Sequence, residues 1–228
     1  MKKSKGAYLY LVGLTIALAF LVNGCCYCNT LRPLNKTQEM AAKQDYAGVA
    51  AINADCGETC DGCNKLHLLK GDACYRIAKN GQEPQKNYSC AAGELEKGIQ
   101  LTKQWQVGSN NLNRSQTYIN LCESLRNWRD KSSGAEADTI NERLIKNAQG
   151  FLVAEPGDLC GVYFLNNAGY AKLLPRLLHP DQNLCGDLAS MLRSVDEAAA
   201  KAGGTTCEQN LHQVNKEIVS ARESAHCQ

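Results

Sequence analysis

Apolar residues recur every three or four positions along most of this chain, which is the spacing of an amphipathic helix. The clearest example is the stripe formed by Tyr118, Leu121, Cys122, Leu125 and Trp128. No segment shows the alternation of apolar and polar residues that is typical of strands. The pattern predicts helices over residues 65–79, 88–106, 115–130, 133–151, 158–174, 183–199 and 205–221, after two weaker turns over 40–52.

Capping residues and prolines predict where several of these helices begin and end. Ser133 with Glu136, and Thr205 with Glu208, have the spacing of a capping box, in which the two side chains satisfy free backbone amides. Asp158 is suited to cap the next helix. We expect helices to end near two prolines, Pro84 and Pro175. Because the loops are short, the sequence predicts an all-α fold of antiparallel helical hairpins.

The first 24 residues have the layout of an export signal. Three lysines precede an apolar stretch over 7–22, and Gly24 then precedes Cys25. A stretch of 16 residues is shorter than the roughly 20 that span a bilayer. The run Val22-Asn23-Gly24-Cys25 resembles a bacterial lipobox, although Asn23 differs from the small residue usual there. Ordinary secretion and a retained anchor are the alternatives.

The lipobox resemblance implies cleavage before Cys25 and lipidation of that cysteine. More than one acyl chain gives lasting attachment to a membrane. Because Cys26 rather than an aspartate follows, the resemblance implies an outer-membrane lipoprotein that faces the periplasm. We therefore divide the chain into a signal peptide (1–24), a lipidated polar tether (25–36) and a helical-repeat domain (37–228).

Thirteen cysteines are the most unusual feature of the composition. Without Cys25, an even number remains, as a disulfide framework in an exported protein requires. Cys26 and Cys28 lie beside the lipidation site, where they could pair or be modified, and the other ten belong to the folded body. The disulfide candidates are Cys56, Cys60, Cys63, Cys74, Cys90, Cys122, Cys160, Cys185, Cys207 and Cys227, with connectivity left open. We expect no free thiol among these ten.

The sequence also permits more specific functional interpretations of Cys56, Cys60 and Cys63. Their spacing equals that of the radical-SAM cluster motif, and Cys60 with Cys63 resembles half of a c-type haem site that has Asn64 in place of the histidine. With His67 the three could form a zinc site, because thiolate and imidazole suit zinc. Cys60 and Cys63 could also be a redox-active pair. In an oxidising compartment we expect disulfides instead, and therefore no metal or cofactor.

Small residues at Gly71, Cys122 and Ala168 follow one another at intervals of 51 and 46 residues, each among larger apolar residues. In this respect the chain resembles tetratricopeptide repeats, which place a small residue where two helices cross. The segments Tyr118-x2-Leu121-Cys122-x2-Leu125 and Ala91-x3-Leu95-x2-Gly98 keep that family's spacing, although its period is 34 residues. The resemblance implies hairpins stacked as an α-solenoid, and an irregular helical bundle is the alternative.

Charge and motifs argue against several classes of function. Three of the 25 basic residues lie in 1–24, so the rest of the chain has 22 basic and 23 acidic residues. We therefore expect no basic surface that could bind nucleic acid. No catalytic motif is present, and the chain is not expected to be an enzyme. We expect Glu94 and Glu96 to be solvated, and Asp72 and Arg76 to form an exposed ion pair.

Two functional hypotheses remain. The first is a non-enzymatic envelope lipoprotein whose helical body binds an unidentified envelope protein, and the repeat resemblance implies work in pilus, secretion or outer-membrane assembly. The second is a cysteine-based redox or metal-binding envelope protein centred on Cys56, Cys60 and Cys63.

Overall fold

The computed structural model describes residues 26, 30–57, 60–103, 105, 113–181, 183–201 and 207–227. Within these residues the fold is all-α, as predicted, with no strand. The helices are α1 (Arg32–Ala42), α2 (Tyr46–Ala50), α3 (Cys63–Lys79), α4 (Pro84–Leu101), α5 (Arg114–Arg129), α6 (Gly134–Ala154), α7 (Leu159–Leu173), α8 (Leu184–Ala199) and α9 (Glu208–Ser224). A 3-10 turn, Leu174–Leu178, follows α7.

The predicted apolar stripes form the core of the protein. In α5, Leu121, Cys122 and Leu125 are completely buried. The largest cluster of buried side chains extends from Leu68 in α3 to Ala221 in α9, so most of the helices share one core. A smaller cluster joins Leu34, Ala54, Cys56, Cys63, Leu66 and Leu69, and it anchors the cysteine-rich loop to α3.

Helices that follow one another in sequence pack side by side, as hairpins do, from α3 to α9. The odd-numbered helices α3, α5, α7 and α9 also contact one another in that order. These contacts agree with an array of antiparallel hairpins. Whether the array is a tetratricopeptide-like solenoid or an irregular bundle stays a prediction.

α3 and α4 approach each other closely, and this approach depends on two glycines. A methyl group added to Gly71 would lie 2.6 Å from the Leu95 side chain, and one added to Gly98 would lie 2.6 Å from that of Leu68. Each leucine therefore lies over a glycine of the opposite helix. The small residue predicted at Gly71 lies at this helix crossing.

Helix boundaries differ from the predictions at three points. Pro84 begins α4 instead of only ending α3, since proline suits the first turn of a helix. α1 includes residues 32–36 with Pro33 in its first turn, so the tether predicted there is helical. Ser133 precedes α6 without a side-chain capping bond, so that capping box is wrong.

Other boundaries agree with the sequence. Asp158 caps α7 by accepting a hydrogen bond of 2.9 Å from the amide of Cys160. The regular helix changes to a 3-10 turn just before Pro175. Thr205 of the second capping box lies outside the described residues.

Five disulfides link the described segments. They join Cys26 to Cys60, Cys56 to Cys63, Cys74 to Cys90, Cys160 to Cys207 and Cys185 to Cys227. The bridge between Cys185 and Cys227 ties the chain's C-terminal end to the start of α8. Disulfides of this number indicate an oxidising compartment outside the cytoplasm.

The expectation for Cys122 was wrong. Cys122 is a free cysteine among the described residues, and it lies in the middle of α5 with no exposed surface. Cys60 forms its bridge with Cys26 from the N-terminal segment, so eight of the ten body cysteines, and not all ten, pair among themselves. Cys25 and Cys28 lie outside the described residues.

No helix in the described ranges has the length and apolarity to cross a membrane. The apolar stretch over 7–22 lies outside those ranges.

Candidate functional site

The beginning of α3 places three polar or reactive side chains on one face. Cys63, His67 and Lys70 are spaced four and three residues apart, so they follow one another along the helix. Gly62 precedes the helix with a φ of 89°, a backbone conformation that favours glycine. This turn brings the cysteine-rich loop back against the first turn of α3.

The disulfide between Cys56 and Cys63 fixes that loop to the helix. Its two Cα atoms are 5.7 Å apart, and the two residues are 6% and 1% exposed. The bridge therefore belongs to the N-terminal core cluster and is shielded from solvent.

His67 lies directly beside this bridge and is itself buried, with 3% of its surface exposed. Its Nε2 atom lies 3.6 Å from the Sγ atom of Cys56, and its Nδ1 atom lies 2.5 Å from Oε2 of Glu94 in α4. The two sulfur atoms of the bridge and a ring nitrogen of His67 lie within 4.8 Å of one another. Two cysteines and a histidine thus form one compact cluster, which we call the Cys56–Cys63–His67 cluster.

Glu94 connects the cluster to a cation. Its Oε1 atom accepts a hydrogen bond of 2.8 Å from Nζ of Lys70, while Oε2 faces the ring of His67. Burial by itself raises the pKa of Glu94, but the hydrogen bonds from His67 and Lys70 outweigh it and hold that pKa below its usual value. Glu94 is therefore a carboxylate at neutral pH, with both oxygens occupied.

A cleft of about 400 Å³ opens beside the cluster. His67, Lys70 and Glu94 line it together with Ala54, Asp55 and Lys97. The side chain of His67 therefore contacts the buried disulfide and also lines this cleft.

The sequence grouped Cys56, Cys60, Cys63 and His67, and the structure brings three of these four together. Cys60 forms its bridge with Cys26 and is not in the cluster. The radical-SAM and haem interpretations both need Cys60, so they have no support here.

Glu94 and Glu96 were expected to be solvated, and that expectation was wrong. Glu94 bonds to His67 and Lys70, whereas Glu96 lies 2.6 Å from the guanidinium of Arg143 in α6. Residues two apart on a helix face different sides, and this spacing could have indicated two separate partners. Asp72 and Arg76 form the predicted pair at 2.7 Å, and Asp72 also accepts a hydrogen bond from Asn120 in α5.

A second concave surface lies where α4 begins and α5 ends. This groove has a volume of about 710 Å³ and is lined by Glu83, Gln85, Lys86, Trp128, Lys131 and Glu136. The ring of Trp128 is covered on one side by the guanidinium of Arg143 at 5.2 Å. The groove combines an aromatic ring with charges of both signs.

Other aromatic residues that could anchor a partner have structural roles. Tyr163 is buried, its hydroxyl lies 3.1 Å from Arg126, and its ring contacts that of Phe164. Trp105 and Tyr170 are half-buried against the main core.

A comparison of the chain with known protein families, with curated proteins and with solved structures found no match.

Proposed function

We propose that this protein is a lipoprotein of the bacterial cell envelope whose helical body binds another envelope protein without catalysing a reaction. The main observation that supports this proposal is the disulfide framework. Five bridges hold a helical body together and belong to an oxidising compartment, which agrees with export. Rigid helical hairpins offer grooves between helices, and such grooves suit protein binding.

The membrane attachment in this proposal depends on Cys25. The Gly24-Cys25 junction supplies the small residue and the thiol that lipidation needs. We expect Cys25→Ser to leave an unprocessed precursor or to release the protein from the membrane fraction. A Cys28→Ser variant is the matched control and should stay in the membrane fraction. If Cys25→Ser is processed and membrane-bound like the parent, the lipid anchor is wrong.

The groove beside Trp128 is the best-supported surface for a protein partner. Trp128 offers an aromatic ring of the kind that anchors interfaces. Glu83, Lys86, Lys131 and Glu136 surround it with two negative and two positive charges. A partner segment with one apolar side chain and charges of both signs fits this surface better than nucleic acid does.

A photo-crosslinking amino acid tests the groove in living cells. It replaces Lys131, which lines the groove and is exposed, or Gln209, which is exposed on α9 and serves as the control position. We expect a discrete crosslinked protein from position 131 and none from position 209. Crosslinks of equal yield at both positions, or at neither, would contradict binding through this groove.

A redox or metal-binding role is the second candidate function. The observation that favours it is the Cys56–Cys63–His67 cluster, because a histidine ring nitrogen lies 3.6 Å from a cysteine sulfur beside an open cleft. The test is whether a dithiol reduces the Cys56–Cys63 bridge in the folded protein before the Cys160–Cys207 bridge. A bridge that resists reduction until the protein unfolds would reject this role.

A further inference from the structure

We propose that the Cys56–Cys63–His67 cluster becomes a site for one zinc ion when a dithiol reductant opens its disulfide. The proposal rests on the second candidate function above and names the ligand of that site.

The distances within the cluster fit a single tetrahedral ion. Zinc lies about 2.3 Å from a thiolate and about 2.1 Å from a histidine nitrogen, so these two atoms lie ~3.6 Å apart around one tetrahedral ion. The Sγ atom of Cys56 and the Nε2 atom of His67 are 3.6 Å apart in the structure. All three donor atoms lie within 4.8 Å of one another, and the two sulfur atoms, which are bonded in the oxidised protein, move apart by side-chain rotation once the bridge opens.

The hydrogen bonds of His67 leave the correct nitrogen for a metal. A carboxylate accepts but does not donate, so Nδ1 of His67 must carry the hydrogen in its 2.5 Å contact with Glu94. In a neutral ring this leaves a lone pair on Nε2, which faces Cys56. Histidine ligands of zinc proteins characteristically donate their other nitrogen to a carboxylate in this way, which fixes the ring.

Lys70 holds that carboxylate in turn. Its ammonium lies 2.8 Å from Oε1 of Glu94, so Glu94 is oriented from both sides. The charges also balance, because two thiolates neutralise one Zn²⁺ and Lys70 neutralises Glu94. A buried site of this kind avoids the cost of an unpaired charge.

Three protein ligands leave one coordination position for water or for a molecule entering from the cleft that His67 lines.

The chemistry needs a reductant and releases protons. A protein or small-molecule dithiol gives two electrons and two protons to the Cys56–Cys63 bond and becomes a disulfide, leaving two thiols. Zn²⁺ then replaces the two thiol protons, which pass to solvent, and Nε2 of His67 binds through its lone pair. Oxidation of the thiolates by a disulfide reverses the sequence and releases the ion.

The test uses the full chain in detergent with limiting dithiol. Mass spectrometry of alkylated peptides identifies which bridge has opened, and competition with a chromophoric chelator measures Zn²⁺ binding. We expect one Zn²⁺ per chain with the Cys56–Cys63 bridge open and none with it closed. The Co²⁺ derivative should show thiolate charge-transfer bands and the visible bands of a tetrahedral site.

Three variants separate this site from other thiols. His67→Gln should abolish stoichiometric zinc binding. Glu94→Gln should weaken it 10- to 100-fold, since Glu94 orients the ligand without touching the ion. Glu96→Gln, two residues along the same helix but paired with Arg143, should bind zinc like the parent. If His67→Gln does not fold, the difference in zinc affinity between Glu94→Gln and Glu96→Gln still tests whether the Cys56–Cys63–His67 cluster binds the ion.

The outcomes distinguish the inference from the function on which it rests. A bridge that opens without binding zinc, or zinc binding that persists in His67→Gln, overturns the metal site alone. A bridge that cannot be opened in the folded protein overturns both. Equal zinc binding by the oxidised and reduced chains shows adventitious binding and also overturns the site.

Discussion

Gly71 shows how one residue sets the distance between two helices. The Leu95 side chain occupies the space that a larger residue at position 71 would need, and the backbone nitrogen of Leu95 is also within 3.0 Å of an added methyl group. Because the added methyl group would also lie close to the backbone of α4, rotation of the Leu95 side chain alone cannot relieve the clash. The crossing of α3 and α4 therefore depends on the absence of a side chain.

We predict that Gly71→Ala lowers the free energy of unfolding by about 1–3 kcal/mol, the usual cost of overpacking. Gly93→Ala on α4 is the control, since nothing lies within 4 Å of a methyl group added there. That variant should be neutral or more stable by up to about 1 kcal/mol, because alanine favours a helix over glycine. Urea unfolding of the parent and both variants measures the difference. Equal destabilisation by the two would contradict the close approach.

Glu94 makes the stability of the folded protein depend on pH. Its pKa is lower in the folded protein than the ordinary value of 4.5, so its hydrogen bonds with His67 and Lys70 stabilise the fold above that pH. As the pH falls through the folded-state pKa, Glu94 takes up a proton and the stabilisation disappears.

We therefore predict that Glu94→Gln destabilises the protein by about 1–3 kcal/mol near pH 7 and that this difference shrinks as the pH falls below 4.5. Unfolding curves between pH 3 and pH 7 measure it. Glu39→Gln, at an exposed position of α1, is the control and should match the parent throughout. A Glu94→Gln effect that is constant with pH would show that the carboxylate charge is not responsible.

At the scale of helices, the sequence predicted most of what depends on neighbouring residues, although not the missing cap at Ser133, and it missed what depends on distant residues. The stripe in α5 and the cap at Asp158 are local patterns, and both are correct. Pro84 suits either the end of one helix or the start of the next, and the local pattern does not choose between them. Lys70 and Glu94 lie on different helices, so their pairing needed the packing of α3 on α4.

Bridges between helices should differ in their contribution to stability. In the chain-entropy argument a disulfide stabilises more when it closes a longer loop. The Cys185–Cys227 bridge spans 42 residues, whereas the Cys56–Cys63 bridge spans 7. The first also holds the end of the chain after α9, where fraying is expected.

We predict that replacing Cys185 and Cys227 with alanine costs about 4 kcal/mol, against about 2 kcal/mol for the same replacement at Cys56 and Cys63. Thermal and urea unfolding of the two double variants gives the comparison. Limited proteolysis should also cut the first variant near residue 220 and leave the second intact there. The reverse order of stability would mean that core packing around Cys56 outweighs loop length.

For the whole molecule, composition indicated a disulfide framework but not its connectivity. An even count of body cysteines suggested complete pairing within the body, yet Cys60 pairs with Cys26 and Cys122 stays free. The reason is spatial, because Cys122 lies at the centre of the main core among apolar side chains. Burial raises the pKa of its thiol, so it is also a poor nucleophile in the folded protein. A cysteine buried in this way can serve simply as a small apolar residue.

The last prediction follows from this arrangement and concerns every described thiol. Alkylation of the folded, unreduced protein should leave Cys122 unlabelled because it has no exposed surface. Alkylation in denaturant without reductant should label Cys122, while the ten bridged cysteines should react only after reduction. Peptide mapping reads each position separately, with alkylation at mildly acidic pH to prevent exchange between bridges.

Reduction should also lower the thermal midpoint markedly, because the opened bridges no longer restrict the unfolded chain. Cys122→Ala is the control, since it removes the free thiol of the described residues, which could start exchange during heating, but keeps the five bridges. Its midpoint should fall by as much on reduction as that of the parent. A bridged cysteine that labels without reductant, together with a melt that does not respond to reduction, would contradict the disulfide framework and with it the argument that this body is built for an oxidising compartment.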